Sequence, residues 1–231
     1  PGGPWEIIGC QADYANRRLY IAVCDISESK GVVVGYIDLD DAGSGDPVTY
    51  GFTQLLKATD WTQTQMTGLR SHEALGEGGF LVDLEENVII LSAATVSSLS
   101  KGRLAVYDIT SGGRLCEFNP DDNPDFPYQG IRRQFHYTGG KIYGSFNYHA
   151  SQPDLRGLCV VDVASGIITY QRPSYATLDD YELRSLCAGP DGKLVVSAYG
   201  YGIALYDPVS YSWELFSSDN IPAMTPDSRE K

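Results

Sequence analysis

Residues 183–216, LRSLCAGPDGKLVVSAYGYGIALYDPVSYSWELF, fall into four short apolar runs separated by turn residues. Residues 183–188 form the first run, and Pro190-Asp191-Gly192 follows as a tight turn. Residues 193–199 form the second, closed by Gly200-Tyr201-Gly202. Residues 203–207 form the third, and residues 212–216 the last. Proline presets one turn φ, and glycine accepts the positive φ that hairpin turns require. The stretch therefore reads as a four-stranded antiparallel meander.

The same pattern occurs four times. Repeat one covers about residues 6–53, repeat two 67–118, repeat three 131–171 and repeat four 183–216. The third strand of each gives the register: GYIDLDDAG, AVYDITSGG, CVVDVASGI and ALYDPVSYS. Its aspartates are Asp38, Asp108, Asp162 and Asp207. An aspartate followed by serine and glycine suits a turn, because its carboxylate accepts backbone N–H bonds two residues on.

The runs VVVGYI, VIILSA, LCVVDV and LVVSA are nearly continuous in apolar residues. A sheet with one wet face should alternate instead. Small meanders covered on both faces are the blades of a β-propeller, since each blade is sandwiched by its neighbours. The expected fold is all-β, a propeller of four-stranded antiparallel blades with four blades visible, and a β-sandwich is the alternative. Residues 1–216 would form the propeller or a sector of one, and residues 217–231 a polar tail.

Charge and composition limit the function. With 17 basic and 30 acidic residues the net charge is −13, and no basic run occurs, so nucleic acid is not an expected partner. No apolar run reaches the roughly 20 residues of a membrane span. The five cysteines (Cys10, Cys24, Cys116, Cys159 and Cys187) show no metal-ligand spacing. Mostly within apolar runs, they read as small buried hydrophobes, which favours a reducing compartment; a Cys10–Cys24 bridge across neighbouring strands is the alternative. The compartment itself is not legible.

Three long connections join the last strand of one repeat to the first of the next: residues 54–78, 119–130 and 172–181. The prolines of NPDDNPDFPYQG, residues 119–130, are expected to keep it extended. Its D-x-N-x-D spacing lacks the glycine and distal glutamate of a calcium loop, so it reads as a solvated acidic loop. In a propeller these connections share one face around the channel mouth, where binding residues often sit.

Repeat four, through Gly189-Pro190-Asp191-Gly192-Lys193-Leu194 and residues 202–207, resembles the blades of bacterial propellers of the two-component-regulator, lyase and quinoprotein types. Repeat three is similar through Val160-Val161-Asp162 and Ser165-Gly166. The resemblance implies the propeller fold and no particular activity. The Gly-His and Trp-Asp dipeptides of WD40 blades and the tryptophan docking motifs of quinoprotein dehydrogenases are absent from the sequence.

Leu69-Arg70-Ser71, Ile131-Arg132-Arg133 and Leu183-Arg184-Ser185 enter the first strands. If residues 69–74 form the first strand of repeat two, rather than a strand near residues 79–84, rotational symmetry gathers Arg70, Arg132 and Arg184 at the mouth. With Arg133 they would bind an anion or a carboxylate-bearing segment. The bland alternative is that each arginine pairs with an aspartate of a neighbouring blade. Tyr148, Tyr175, Tyr181 and Tyr201 fall on connections and suit an interface. His72, Glu73, His136 and Glu182 are the candidates for acid–base chemistry or for holding a divalent metal ion in the channel.

The leading expectation is a non-catalytic binding or scaffold module that recognises a protein or peptide through its mouth, with no cofactor. One alternative is a lactonase- or lyase-type enzyme with a central metal or anion site. The other is a structural subunit, one sector of a larger chain or oligomer whose open blades are covered by a partner.

Overall fold

The computed structural model describes residues 5–25, 31–42, 50–61, 79–94, 101–146, 151–152, 154–173, 183–198 and 202–216. They build four antiparallel sheets, each a meander of four consecutive strands. Blade one is β1 (Trp5–Asp13), β2 (Arg18–Asp25), β3 (Gly31–Ala42) and β4 (Tyr50–Ala58). Blade two is β5 (Gly79–Asp83), β6 (Val88–Ala93), β7 (Arg103–Asp108) and β8 (Arg114–Phe118). Blade three is β9 (Ile131–Thr138), β10 (Lys141–Phe146), β11 (Leu158–Asp162) and β12 (Ile168–Gln171). Blade four is β13 (Leu183–Ala188), β14 (Leu194–Ala198), β15 (Gly202–Tyr206) and β16 (Trp213–Phe216). Successive first strands touch, β1 with β5, β5 with β9 and β9 with β13, so the first strand of each blade is the innermost. The fold is a β-propeller built of four-stranded blades.

The hairpin turns follow the sequence logic closely. Asp108 Oδ1 accepts from the Ser111 N–H at 2.6 Å, Asp162 Oδ1 from Ser165 at 2.9 Å, and Asp207 Oδ1 from Val209 at 2.8 Å. Blade one departs from the pattern. β3 runs past Asp38 to Ala42, and Asp38 instead accepts from the Asp40 N–H and lies 3.7 Å from Arg18. A residue at positive φ stands just before the second strand in blades one to three (Arg17, Asn87 and Gly140) and one place earlier, before Lys193, in blade four (Gly192). Glycine fills that place in two blades, and in the other two a larger residue bears the strain.

Hydrogen bonds involving Ser111, Ser165 and Ser210 hold the Asp108, Asp162 and Asp207 carboxyls below their ordinary value. A depressed folded pKa gives stability that is fully present above the unfolded value, about 3.9, and is lost as pH falls through the folded value. Replacing all three by asparagine is expected to flatten the acid side of the Tm–pH curve below about pH 4, which thermal melts across that range will check.

The core runs between blades. One cluster joins blades one and two through Tyr20, Val34, Leu56, Ile89 and Tyr107. A second joins blades two and three through Ile90, Val106, Phe135 and Ile142, and a third joins blades three and four through Tyr143, Val160, Leu194 and Tyr206. β6 is buried along its whole length and β7 nearly so, as continuous apolar runs require. β14 does not follow: Leu194 and Val196 are buried, whereas Val195 and Ser197 are half-exposed. The reading of burial on both faces therefore fails in LVVSA, because no blade among the described residues covers its second face.

Two further expectations are corrected. All five cysteines are free, but they are not all buried hydrophobes: Cys24 and Cys159 are buried, Cys116 is half-buried, and Cys10 and Cys187 are exposed. Cys24 is buried in the core between blades one and two, and Cys10 is exposed opposite Ile21, so the two thiols point to opposite faces of the sheet and no Cys10–Cys24 bridge forms. Residues 119–130 are not extended, although Asp121, Asp122 and Asp125 are exposed, as the reading of a solvated acidic stretch expects. They fold into successive turns, with Asn123 N–H donating to Asn119 O, Phe126 N–H to Asn123 O and Gly130 N–H to Pro127 O.

Candidate functional site

Strand direction alternates within each blade, so the two ends of the propeller differ. One end carries the short turns between first and second strands and between third and fourth. The other end carries the long connections 59–78, 119–130 and 172–182 together with the entry of each innermost strand. The candidate site is this second end.

β9 and β13 enter it in matching register. Ile131 lies opposite Phe146, five residues into β10's pairing from Lys141. Leu183 lies opposite Ala198, five residues on from Lys193. Each pairing carries a register shift just after this residue: in β13 it falls at Arg184, and in β9 it spans Arg132, Arg133 and Gln134. Arg132 and Arg184 each follow the first paired residue of adjacent inner strands; counted back from Phe135 and Leu186, the residue that matches Arg184 is Arg133. Arg70 does not share that register, because the strand paired with β6 is Gly79–Asp83, as the alternative strand near residues 79–84 anticipated.

Arg132 is 6% exposed, so its side chain lies within the wall of the propeller and not on the surface of the mouth. Arg133 and Arg184 are on β9 and β13, and their side chains fall outside the described residues. Arg70, His72, Glu73, Tyr148, Tyr175, Tyr181, Glu182 and Tyr201 lie outside the described residues altogether. His136 is placed on β9 opposite Tyr143 and is half-buried. Burial pushes its imidazole pKa down, against the pull of the Asp83 charge, so the ring is neutral at pH 7. Among the described residues no three His, Cys, Asp or Glu side chains gather as a metal site.

A cleft of about 250 Å³ opens beside the inner strands, lined by Gln134, Ser185, Leu186, Cys187, Val195, Ser197 and Ile203. The Ser185 and Ser197 hydroxyls are 2.8 Å apart, and Ser197 Oγ also accepts from the Ser185 N–H at 3.0 Å. Leu186, Val195 and Ile203 supply the apolar part of the wall, with Gln134 and Cys187 completing it.

Two groups at this end were not legible in the sequence. Gln152 clamps the 119–130 connection, donating from Nε2 to Pro124 O at 2.9 Å and Phe126 O at 2.8 Å and accepting from Tyr128 N–H at 2.6 Å. Arg103, 3% exposed in its side chain, donates to Asp60 Oδ2 at 2.7 Å and Glu117 Oε2 at 2.8 Å. It lies 4.4 Å above the Trp61 ring, whose Nε1–H donates to Tyr107 Oη at 2.7 Å. This network pins the start of the 59–78 connection against blade two. Burial raises the Asp60 carboxyl, but the hydrogen bonds and charge of Arg103 outweigh it and hold the group below its ordinary value. Burial pushes the Tyr107 phenol up to about 12.

No family model matches the chain, and no curated protein matches it. Solved structures do. The chain is similar to the extracellular domain of the hybrid two component system BT3049 from B. thetaiotaomicron, at TM-score 0.50 and 11% identity, over 90% of this chain and 23% of that one. It is similar to the extracellular domain of the one component system BT4673 from the same organism, at TM-score 0.48 and 12% identity, over 93% and 22%. The β-propeller domain of the Trilobed protease from Pyrococcus furiosus aligns at TM-score 0.39 and 10% identity, over 91% and 71%. The chain spans about a quarter of the length of the first two. At these identities the likeness speaks for the fold alone.

Proposed function

We propose that this chain is a non-catalytic propeller module that binds a protein or peptide segment bearing carboxylates at the end where the long connections leave the blades. The observation that supports this reading is that Arg133 and Arg184 lie at the entries of adjacent inner strands, in a chain of net charge −13. Cations gathered in an otherwise acidic protein select an anionic partner, and guanidinium matches carboxylate bidentately. Three long connections leave the blades at that end, and connections are where a rigid scaffold carries its recognition residues.

The test is selection from a displayed library of random peptides, followed by titration of the selected peptides. The expected winners are rich in Asp and Glu. Arg133→Glu with Arg184→Glu weakens them at least about tenfold, since each charge-assisted contact contributes about 1.5–3 kcal/mol. Selected peptides without acidic enrichment, or unchanged affinity in the double variant, overturn the reading.

A further inference from the structure

Among the described residues, blades two and three are covered on both faces, and blades one and four on one. The strand register lets the difference be read position by position. Ile203 on β15 stands where Val34, Leu104 and Leu158 stand in the other blades. Those three are 0% exposed and grip the following blade; Ile203 is 39% exposed. Ile21 on β2 stands where Leu91 and Val196 stand, both 0% exposed and gripping the preceding blade; Ile21 is half-exposed. Each end of the array thus presents one half of the joint that is used three times inside it. Among the described residues no core cluster joins blade four to blade one.

We propose that the outer face of blade four packs against the outer face of blade one of a second copy, so that two copies close head to tail into a ring of eight blades. The two halves are different surfaces, so the contact is heterologous, and two such contacts close the ring. Eight blades lie within the usual range for propellers. A second copy supplies both missing halves with the joint already built into the chain.

The internal joints also state which groups would meet. The second strand of one blade touches the first strand of the next, β6 with β9 and β10 with β13, and the same step brings β14 against β1 of the second copy. Cys187, opposite Val195, stands in the place of Gln11 and Leu81. Gln11 grips Val82 of the following blade through two 3.0 Å hydrogen bonds, and Leu81 packs into the core shared with blade three. Cys10, opposite Ile21, stands in the place of Phe80, Phe135 and Leu186, which pack back on the preceding blade. Both cysteines are exposed in the single chain. The Gln11–Val82 contact, repeated at this joint, would set Cys187 of one copy against Ala12 of the other, with Cys10 two residues away along the same strand, roughly 7 Å.

The test is light-scattering mass on the full reduced chain, with a short bismaleimide as a thiol-to-thiol probe. The expected mass is twice that of the chain. Ile203→Glu and Ile21→Glu each give a single-chain mass. Mixing the two variants recovers the doubled mass, because one good joint remains between them, and that recovery also shows that both variants are folded. The probe links two chains, and Cys10→Ser or Cys187→Ser each abolishes the link. A single-chain mass for the unaltered protein overturns the proposal. So does a pair that survives Ile21→Glu, a species larger than two chains, or a Cys10–Cys187 link within one chain, which would mean closure of four blades alone.

Discussion

Phe126→Ala is expected to lower the stability of the chain by about 3–5 kcal/mol, read as a fall in the urea midpoint at constant slope. Phe126 is 0% exposed and lies in the core shared by blades two and three, its ring 6.3 Å from Phe118. The cost of removing a buried ring depends on how far the surroundings can collapse into the space it leaves. Here they are held. Gln152 fixes the backbone on both sides of Phe126, and Tyr170 Oη donates to Asp125 O at 2.5 Å. Just beyond, Gly130 is pressed against Gly102 so closely that a Cβ on Gly102 would lie 2.1 Å from Gly130 Cα. The connection acts as a plug between two blades, so Phe126→Ala leaves a cavity. Asp122→Ala in the same connection, at an exposed residue, is the control and is expected to shift the midpoint little.

Arg103→Ala should rank next, at about 3 kcal/mol, near the lower end of the cost of breaking a buried ion pair. The guanidinium side chain is 3% exposed, and its partners are not: Asp60 is 42% exposed and Glu117 23%. Arg114 stays paired with both carboxylates and water can solvate them, which keeps the loss from reaching the upper end. The stacking over Trp61 is lost as well, at about 1 kcal/mol or more. Arg103→Lys keeps the charge but not the planar fork or the stacking, and is expected to recover less than half of the loss. Chemical denaturation of the three proteins checks the order. Full recovery by lysine would mean that charge alone matters here.

The blades were legible in the sequence because they are written locally. The turn aspartates, the glycines after them and the apolar runs between them lie within a few residues of one another, and the four third strands repeat the same grammar. The limits of that reading are also physical. LVVSA in β14 and VIILSA in β6 have the same apolar character, yet one is covered on one face and the other on both. Whether a neighbouring blade exists is not encoded in the strand that would receive it. The 119–130 connection misled for a related reason. Its prolines and acids suggest solvent, while its one phenylalanine and a glutamine 26 residues away decide where it packs.

At the site, the Leu-Arg and Ile-Arg motifs were read as strand entries, and Arg132 and Arg184 do lie at the starts of β9 and β13, next to register shifts. That Arg132 is buried was not visible, because burial at a bulge depends on the next blade. The Arg103 network was invisible for the plainest reason: its partners Asp60 and Glu117 are 43 and 14 residues away, and no local pattern links them.

The most direct test of a non-catalytic binding module is metal analysis of the purified full chain together with its native mass spectrum. The account predicts no divalent ion retained in stoichiometric amount. One ion per chain, lost on His72→Ala and Glu73→Ala while the fold persists, would contradict it and put a metal-centred reaction in the channel in its place.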